Sequence, residues 1–284
     1  MEVKSALVSA HWLQAHCDDS DLIVFMSTMN DITTGKPEPA PEGYIPGARL
    51  FDFEHQVCDP ISSLPHTMPS PEKFEQEVRK LGVNNRSVIV VYDNQGLFTA
   101  PRVWWMFKCM GHEQVYILDG GYPAWQNEGG KSMSSLITSP PTGDFTSQVQ
   151  GSLLIDSQGV SNALDITDSW VVDARAAARF NGTAAEPRPH LRGGHMPNAV
   201  NLPFTHCIEQ GRLLSPASLR DKFAALGVKE GERLIFSCGS GVTACVLALA
   251  AHEAGFNQLS VYDGSWSEWG ANHALPVVCM PKNA

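Results

Sequence analysis

A chain of 284 residues exceeds one average domain and suffices for two compact halves. Its hydrophobic share of 43% and charged share of 18% are those of an ordinary globular protein. A net charge of −10 with no Lys/Arg run argues against nucleic acid and anionic membrane as partners, because both need clustered positive charge. From Met1 to Gln14 there is no basic region, apolar stretch or small-residue cleavage site, so no leader is expected there. No apolar run is long enough to span a bilayer. Phe74–Leu81 predicts a helix closed by Gly82, and Val88–Tyr92 a strand covered on both faces. Further on, Leu219–Leu226 predicts a helix closed by Gly227, Leu234–Ser237 a buried strand, and Val246–Glu253 a helix apolar enough to be buried all round.

These elements repeat. Gly43-Tyr-Ile-Pro-Gly-Ala48 matches Gly194-His-Met-Pro-Asn-Ala199. Leu81-Gly-Val83 matches Leu226-Gly-Val228, and Ile117-Leu-Asp-Gly-Gly121 with Trp125 matches Val261-Tyr-Asp-Gly-Ser265 with Trp269. Three blocks in one order indicate a tandem duplication. Between the copies, Gly129 to Gly151 is rich in Ser, Thr, Pro and Gly and reads as a surface linker. The expected organisation is a first domain over 1–135, a linker over 136–151 and a second domain over 152–284. Alternating strands and helices predict an α/β fold with a mainly parallel sheet in each half.

Seven cysteines, odd in number and widely spaced without a C-x-x-C pair, argue against a disulfide framework or a zinc site. They fit a reducing, cytoplasmic setting with mostly buried thiols. Cys238 is the exception. It ends a predicted strand and opens Cys238-Gly239-Ser240-Gly241-Val242-Thr243 ahead of a helix. In a parallel sheet, ligands bind at the carboxyl ends of strands. Two glycines let the backbone curl, so amides of the loop and of the helix start can converge on the sulfur. Such a cradle favours a thiolate and an anionic product. The bland alternative is a buried structural cysteine in a glycine-rich turn. A cysteine phosphatase is disfavoured, since Ala244 stands where Cys-x5-Arg needs its arginine. An uncharged loop suits a persulfide better than a compact dianion.

The loop resembles that of the 3-mercaptopyruvate sulfurtransferases, within the rhodanese superfamily. So do Val171-Val-Asp-Ala-Arg175, Gly194-His-Met-Pro197 and Asp263-Gly-Ser-Trp-Ser-Glu-Trp269. The resemblance covers nearly the whole chain and implies two tandem rhodanese-like domains. Asp93 falls where Cys238 falls, so the first domain lacks a nucleophile and completes the cleft. Arg179 and Arg188 match a segment that grips the substrate carboxylate and ketone; the alternative is two solvated surface arginines. Backbone amides of Gly239, Gly241, Val242 and Thr243 are implied to line the sulfur site. His66, in Ser63-Leu-Pro-His-Thr-Met-Pro69, matches the loop histidine that reaches Ser240, with Glu54 as its acidic partner; the alternative is an exposed loop histidine. Arg175 is expected to pair within its own domain, Arg192 to be solvated, His195 to serve a turn, and Cys245 to be buried and inert. The implied reaction takes sulfur from 3-mercaptopyruvate to a thiol acceptor such as thioredoxin or a small dithiol, or to cyanide, with no metal or organic cofactor. The rivals are a thiosulfate:cyanide sulfurtransferase and a sulfur-carrier or regulatory module for a protein partner.

Overall fold

The computed structural model describes residues 5–31 and 33–279. The first four residues of the opening stretch and the last five of the chain lie outside that range.

The first half runs β1 (Leu7–Val8), α1 (Ala10–His16), β2 (Leu22–Ser27), β3 (Arg49–Phe51), α2 (Pro71–Lys80), β4 (Val88–Tyr92), α3 (Ala100–Cys109), β5 (Val115–Leu118) and α4 (Gly121–Asn127). The second half runs β6 (Leu154–Ile155), α5 (Ser157–Ala163), β7 (Ser169–Asp173), α6 (Ala177–Phe180) and β8 (Val200–Asn201). A small hairpin of β9 (Ile208–Glu209) and β10 (Arg212–Leu213) follows, then α7 (Pro216–Ala225), β11 (Arg233–Ser237), α8 (Ala244–Glu253), β12 (Leu259–Tyr262) and α9 (Ser265–Trp269). Each half builds one five-stranded parallel sheet, and the two strand orders correspond: β1-β5-β4-β2-β3 and β6-β12-β11-β7-β8.

The central strands are β-branched and apolar because both faces are covered. All five residues of β4 are buried, as are four of the five in β11. The helices start where the local chemistry satisfies their free N–H groups. Ser70 and Ser215 cap α2 and α7, each with proline in the first turn, and Gly82 (φ +81°) and Gly227 (φ +95°) follow their ends in the left-handed region.

One face of each sheet packs outward on its own small core. The inner faces share a single core that runs through both halves. Helices α3 and α8 meet in its middle, where Trp104 of α3 lies beside His252 of α8 and the alanines of α8 join the same core. Eight of the ten residues of α8 are buried, as its apolar sequence predicts. The two halves are therefore one packed body, and the ends of β4 and β11 are held in fixed relation.

Residues 136–151 lie between the sheets in sequence, but they are no loose linker. This strap bonds along the first half through Ile137, Gly143, Phe145, Gln148 and Gln150. Phe145 is buried against Phe74 and Phe107. Gly143 is forced at its position, because a Cβ there would meet the Val83 carbonyl. No helix among the described residues is long and apolar enough to cross a membrane.

Candidate active site

Cys238 sits one residue beyond β11, 2% exposed, at the carboxyl edge of the second sheet. The turn that follows is pinned from behind. The N–H of Cys238 donates to Ser265 Oγ (3.1 Å), and the Cys238 carbonyl accepts from Trp266 N (3.0 Å). The Gly239 carbonyl accepts from Ser267 N (2.9 Å) and Ser267 Oγ (2.7 Å). The Gly241 carbonyl accepts from the Cys245 thiol (3.2 Å) and the Arg102 guanidinium (3.4 Å). A carbonyl and the next N–H point opposite ways across a trans peptide plane. Holding these carbonyls back therefore turns the following amides forward. Among the described residues, none accepts from the N–H groups of Gly239, Ser240, Gly241, Val242 or Thr243. Gly241 has φ +76°, and a Cβ there would press the Asp263 carbonyl, so glycine is required. Thr243 then starts α8, whose N-terminal dipole end adds to the cradle.

The first half shows what such a turn holds. Asp93, in the place of Cys238, puts its carboxylate into the matching cradle. It accepts N–H bonds from Gln95 (2.9 Å), Phe98 (2.7 Å), Thr99 (2.9 Å) and Ala100 (3.0 Å). In the first half, a strand–turn–helix thus holds a carboxylate in its backbone amides.

The loop from the first half closes over this turn. His66 is only 9% exposed, so it is no solvated loop histidine. Its Nδ1 lies 2.9 Å from Ser240 Oγ, and its Nε2 lies 3.2 Å from Glu54 Oε1. Burial alone would push the Glu54 carboxyl up. The His66 hydrogen bond and the Asn30 N–H (2.7 Å) override it and hold the group below the usual carboxylate range. An ionised carboxylate only accepts, so Nε2 carries a hydrogen, and in the neutral imidazole Nδ1 is then the acceptor for the Ser240 hydroxyl.

The two arginines differ. Arg179 is tied to Glu186 through Nε (3.1 Å) and a terminal nitrogen (2.5 Å), with that same nitrogen beside Gly239. Glu186, its side chain 1% exposed, bridges onward to the buried Arg175, which also takes both oxygens of Asp173 and lies over the Trp266 ring. Arg188 is half-buried, and its guanidinium donates to none of the described residues. Burial first, and the charge of Arg179 second, pull it below the ordinary arginine range, against the opposing influence of Cys238, Glu186 and Glu54. Two cations thus flank the uncharged loop from a different segment. Neither is simply a solvated surface side chain.

Three further residues of this site have contacts that sequence reading did not assign. Glu186 stands beside Arg188, but nothing local marks it as a bridge. Arg102 and Asp263 meet only in space. Arg192 corrects an expectation, because it is not solvated. It clamps the carbonyls of Trp269, Gly270, Asn272 and Leu275 around the end of α9. His195 bonds the Phe180 carbonyl and stacks on its ring. Among the described residues, no group of three or more His, Cys, Asp or Glu side chains could hold a metal ion.

Three of the other cysteines are buried and silent. Burial pushes Cys245 and Cys207 up to about 12, and Cys109 also rises. In native protein treated with iodoacetamide near neutrality, peptide mapping should find these three unmodified, and unfolding should expose them all. Labelling of Cys245 in the folded state would end its reading as an inert core thiol.

The chain matches the rhodanese-like domain family over residues 9–128 and again over 157–272. It is 40% identical to the 3-mercaptopyruvate sulfurtransferase of Escherichia coli K12, covering 95% of this chain and 96% of that one. It is 38% identical to a thiosulfate sulfurtransferase of Cricetulus griseus, covering 93% and 91%. The crystal structure of SseA, a 3-mercaptopyruvate sulfotransferase from E. coli, superposes with a TM-score of 0.82 at 36% identity, over 93% of this chain and 99% of that one. With two such domains joined around one cysteine-bearing turn, the chain belongs to the rhodanese family, in its 3-mercaptopyruvate sulfurtransferase branch.

Proposed function

We propose that this enzyme moves a sulfur atom from 3-mercaptopyruvate through a persulfide on Cys238 to an acceptor, releasing pyruvate. The observation that carries the reading is the turn itself: five amides after Cys238 that find no acceptor among the described residues, with Arg179 and Arg188 on one side and Ser240–His66–Glu54 on the other. Arg188, having no protein partner among the described residues, takes the substrate carboxylate in a two-pronged bond. Arg179 faces the ketone oxygen.

The Cys238 proton passes by way of Ser240 to His66, whose cation Glu54 stabilises. The thiolate attacks the thiol sulfur of the donor. A sulfur–sulfur bond forms, the carbon–sulfur bond breaks, and its electron pair leaves as the pyruvate enolate. Charge on the enolate oxygen develops against Arg179, and the loop amides face the sulfur. The proton held on His66 returns to the enolate carbon, giving pyruvate and Cys238 persulfide. A thiol, from thioredoxin or a small dithiol, or cyanide then takes the outer sulfur and restores the Cys238 thiol. The domain over 1–135 supplies His66 and Glu54 but no nucleophile; the domain over 152–284 supplies the rest. Seven free thiols support a reducing, cytoplasmic setting.

Thiosulfate is the competing donor. Pyruvate release from 3-mercaptopyruvate with a dithiol, set beside thiocyanate formation from thiosulfate and cyanide, decides between them. The expected preference, by kcat/KM, is for 3-mercaptopyruvate by at least about 10-fold, the worth of one added charged contact. A preference for thiosulfate would reassign both arginines to a dianion.

A further inference from the structure

The duplication allows the carboxyl edges of the two sheets to be compared position by position, and they differ sharply at one place. In the first half, the ends of β1 and β5 bring together Ser9, Asp119, Gly120 and Ala124. The hairpin of the second half crosses there. Leu213 N donates to Asp119 Oδ1 (3.0 Å), and the residue before it, Arg212, lays its stem over Gly120. The Arg212 guanidinium stands 3.7 Å from Asp119 and 3.9 Å from Glu128. In the second half the matching positions are Asp156, Asp263, Gly264 and Glu268, and the crossing loop is the one that carries His66. Met68 N makes the matching bond to Asp263 (2.8 Å), so Thr67 falls where Arg212 falls. Between the copies, carboxylates replace Ser9 and Ala124, and the cation is lost.

What remains is an open groove of about 510 Å³, lined by Leu64 and Thr67 of the His66 loop and by Asp156, Asp263, Gly264 and Glu268. Asp263 is paired with a buried arginine. The Asp156 carboxylate accepts only the Gly159 N–H (2.7 Å), and Glu268 only the Ser157 hydroxyl (2.7 Å). Among the described residues, neither meets a cation. A second observation points to a missing group. Tyr262 is fully buried at the end of β12, with its hydroxyl beside Glu268 and Ser157, yet it completes no hydrogen bond among the described residues. Burial first, and the Glu268 charge second, hold this phenol well above its ordinary range. The cluster is short of one cation, the component that Arg212 supplies in the other copy.

The groove adjoins the reacting parts. His66 stands between Leu64 and Thr67, and Ser265, next to Gly264, accepts the Cys238 N–H. Three residues before Leu64 on the same loop, Ile61 is 92% exposed. A small cation would find no use for that apolar neighbour, whereas a protein surface can meet both. We infer that this groove docks the protein that accepts the sulfur, gripping one of its arginine or lysine side chains between Asp156 and Glu268 and so delivering its thiol beside the His66 loop. The inference rests on the thiol-acceptor reading given above.

The test compares three acceptors in pyruvate release from saturating 3-mercaptopyruvate at low salt: a cysteine peptide with arginines on both flanks, the same peptide with citrulline in their place, and dithiothreitol. Native enzyme should use the arginine peptide at least about 5-fold better than the citrulline peptide by kcat/KM. Asp156→Asn with Glu268→Gln removes both charges while keeping the helix cap and the bond to Ser157. In that variant the ratio should fall below about 2-fold, with dithiothreitol turnover and KM for 3-mercaptopyruvate within about 2-fold of native. Should the pair fail to fold, Glu268→Gln alone enters the same comparison. The whole chain carries a charge of −10, so Asp18→Asn with Asp19→Asn, exposed in the turn after α1, serves as the control and should leave the ratio intact. Equal use of the two peptides by native enzyme, or an equal loss in the control, overturns the docking site and leaves sulfur transfer standing. If native enzyme passes sulfur to neither peptide nor dithiothreitol, the thiol-acceptor reading fails and this inference with it.

Discussion

Cys238→Ser is expected to abolish sulfur transfer, lowering pyruvate release at least about 10⁴-fold with either a thiol or cyanide as acceptor. The reasoning is chemical. A hydroxyl at that position is far harder to ionise than a thiol, and oxygen cannot store a transferable sulfur. Nothing else in the cleft can substitute. Cys245 is the next thiol along the chain, but its proton is given to the Gly241 carbonyl and its pKa is pushed up to about 12. Asp93, the positional twin of Cys238, is already saturated by four amides. The fold should hardly notice, since serine is slightly smaller and sits at the mouth of a polar cradle; a stability loss of no more than about 1 kcal/mol is expected. Donor treatment of the native enzyme followed by peptide mapping should find the extra sulfur on Cys238 alone. Residual transfer within 100-fold of native in Cys238→Ser would mean that the sulfur passes directly from donor to acceptor in the cleft.

Much of this architecture is legible in the amino-acid sequence. The duplicated blocks, the strand ahead of Cys238 and the buried helix after it depend on local periodicity and on glycines that close helices, so they can be read residue by residue. The relay is accessible only through resemblance. His66 and Ser240 are 174 positions apart, and no spacing rule links them. The Arg102–Asp263 pair spans 161 positions and joins the two halves, so an arginine inside an aromatic-rich helix gives no sign of serving the other domain. Arg192 departs from expectation for a related reason. Its partners are main-chain carbonyls around the end of a short helix, and carbonyls carry no side-chain signature. The strap over 136–151 has linker composition, yet Phe145 anchors it, one aromatic among small polar residues. Composition reports the average of a segment, whereas docking can depend on a single side chain.

Arg188 and Arg179 stand nine positions apart, and their substitutions should separate cleanly. Arg188→Ala is expected to lower kcat/KM for 3-mercaptopyruvate by about 10²- to 10³-fold, the loss of a charge-assisted, two-pronged bond worth about 3–4 kcal/mol. Arg188→Lys should recover about 10-fold of that, keeping the charge without the fork. Stability should move the other way. In the free enzyme the Arg188 guanidinium is partly desolvated, donates to none of the described residues, and sits against the charge of Arg179. Each of these is unfavourable, so removing the side chain should leave Tm unchanged or raise it. That is the mark of a site strained for its ligand. Arg179→Ala should destabilise instead, because it strips one of two partners from the buried Glu186 carboxylate. Calorimetric scans and initial rates across donor concentrations measure both quantities on the same samples. If Arg188→Ala lowered stability by more than about 1 kcal/mol, as loss of a structural contact does, Arg188 would belong to the framework and the carboxylate would have to be bound by Arg179 alone.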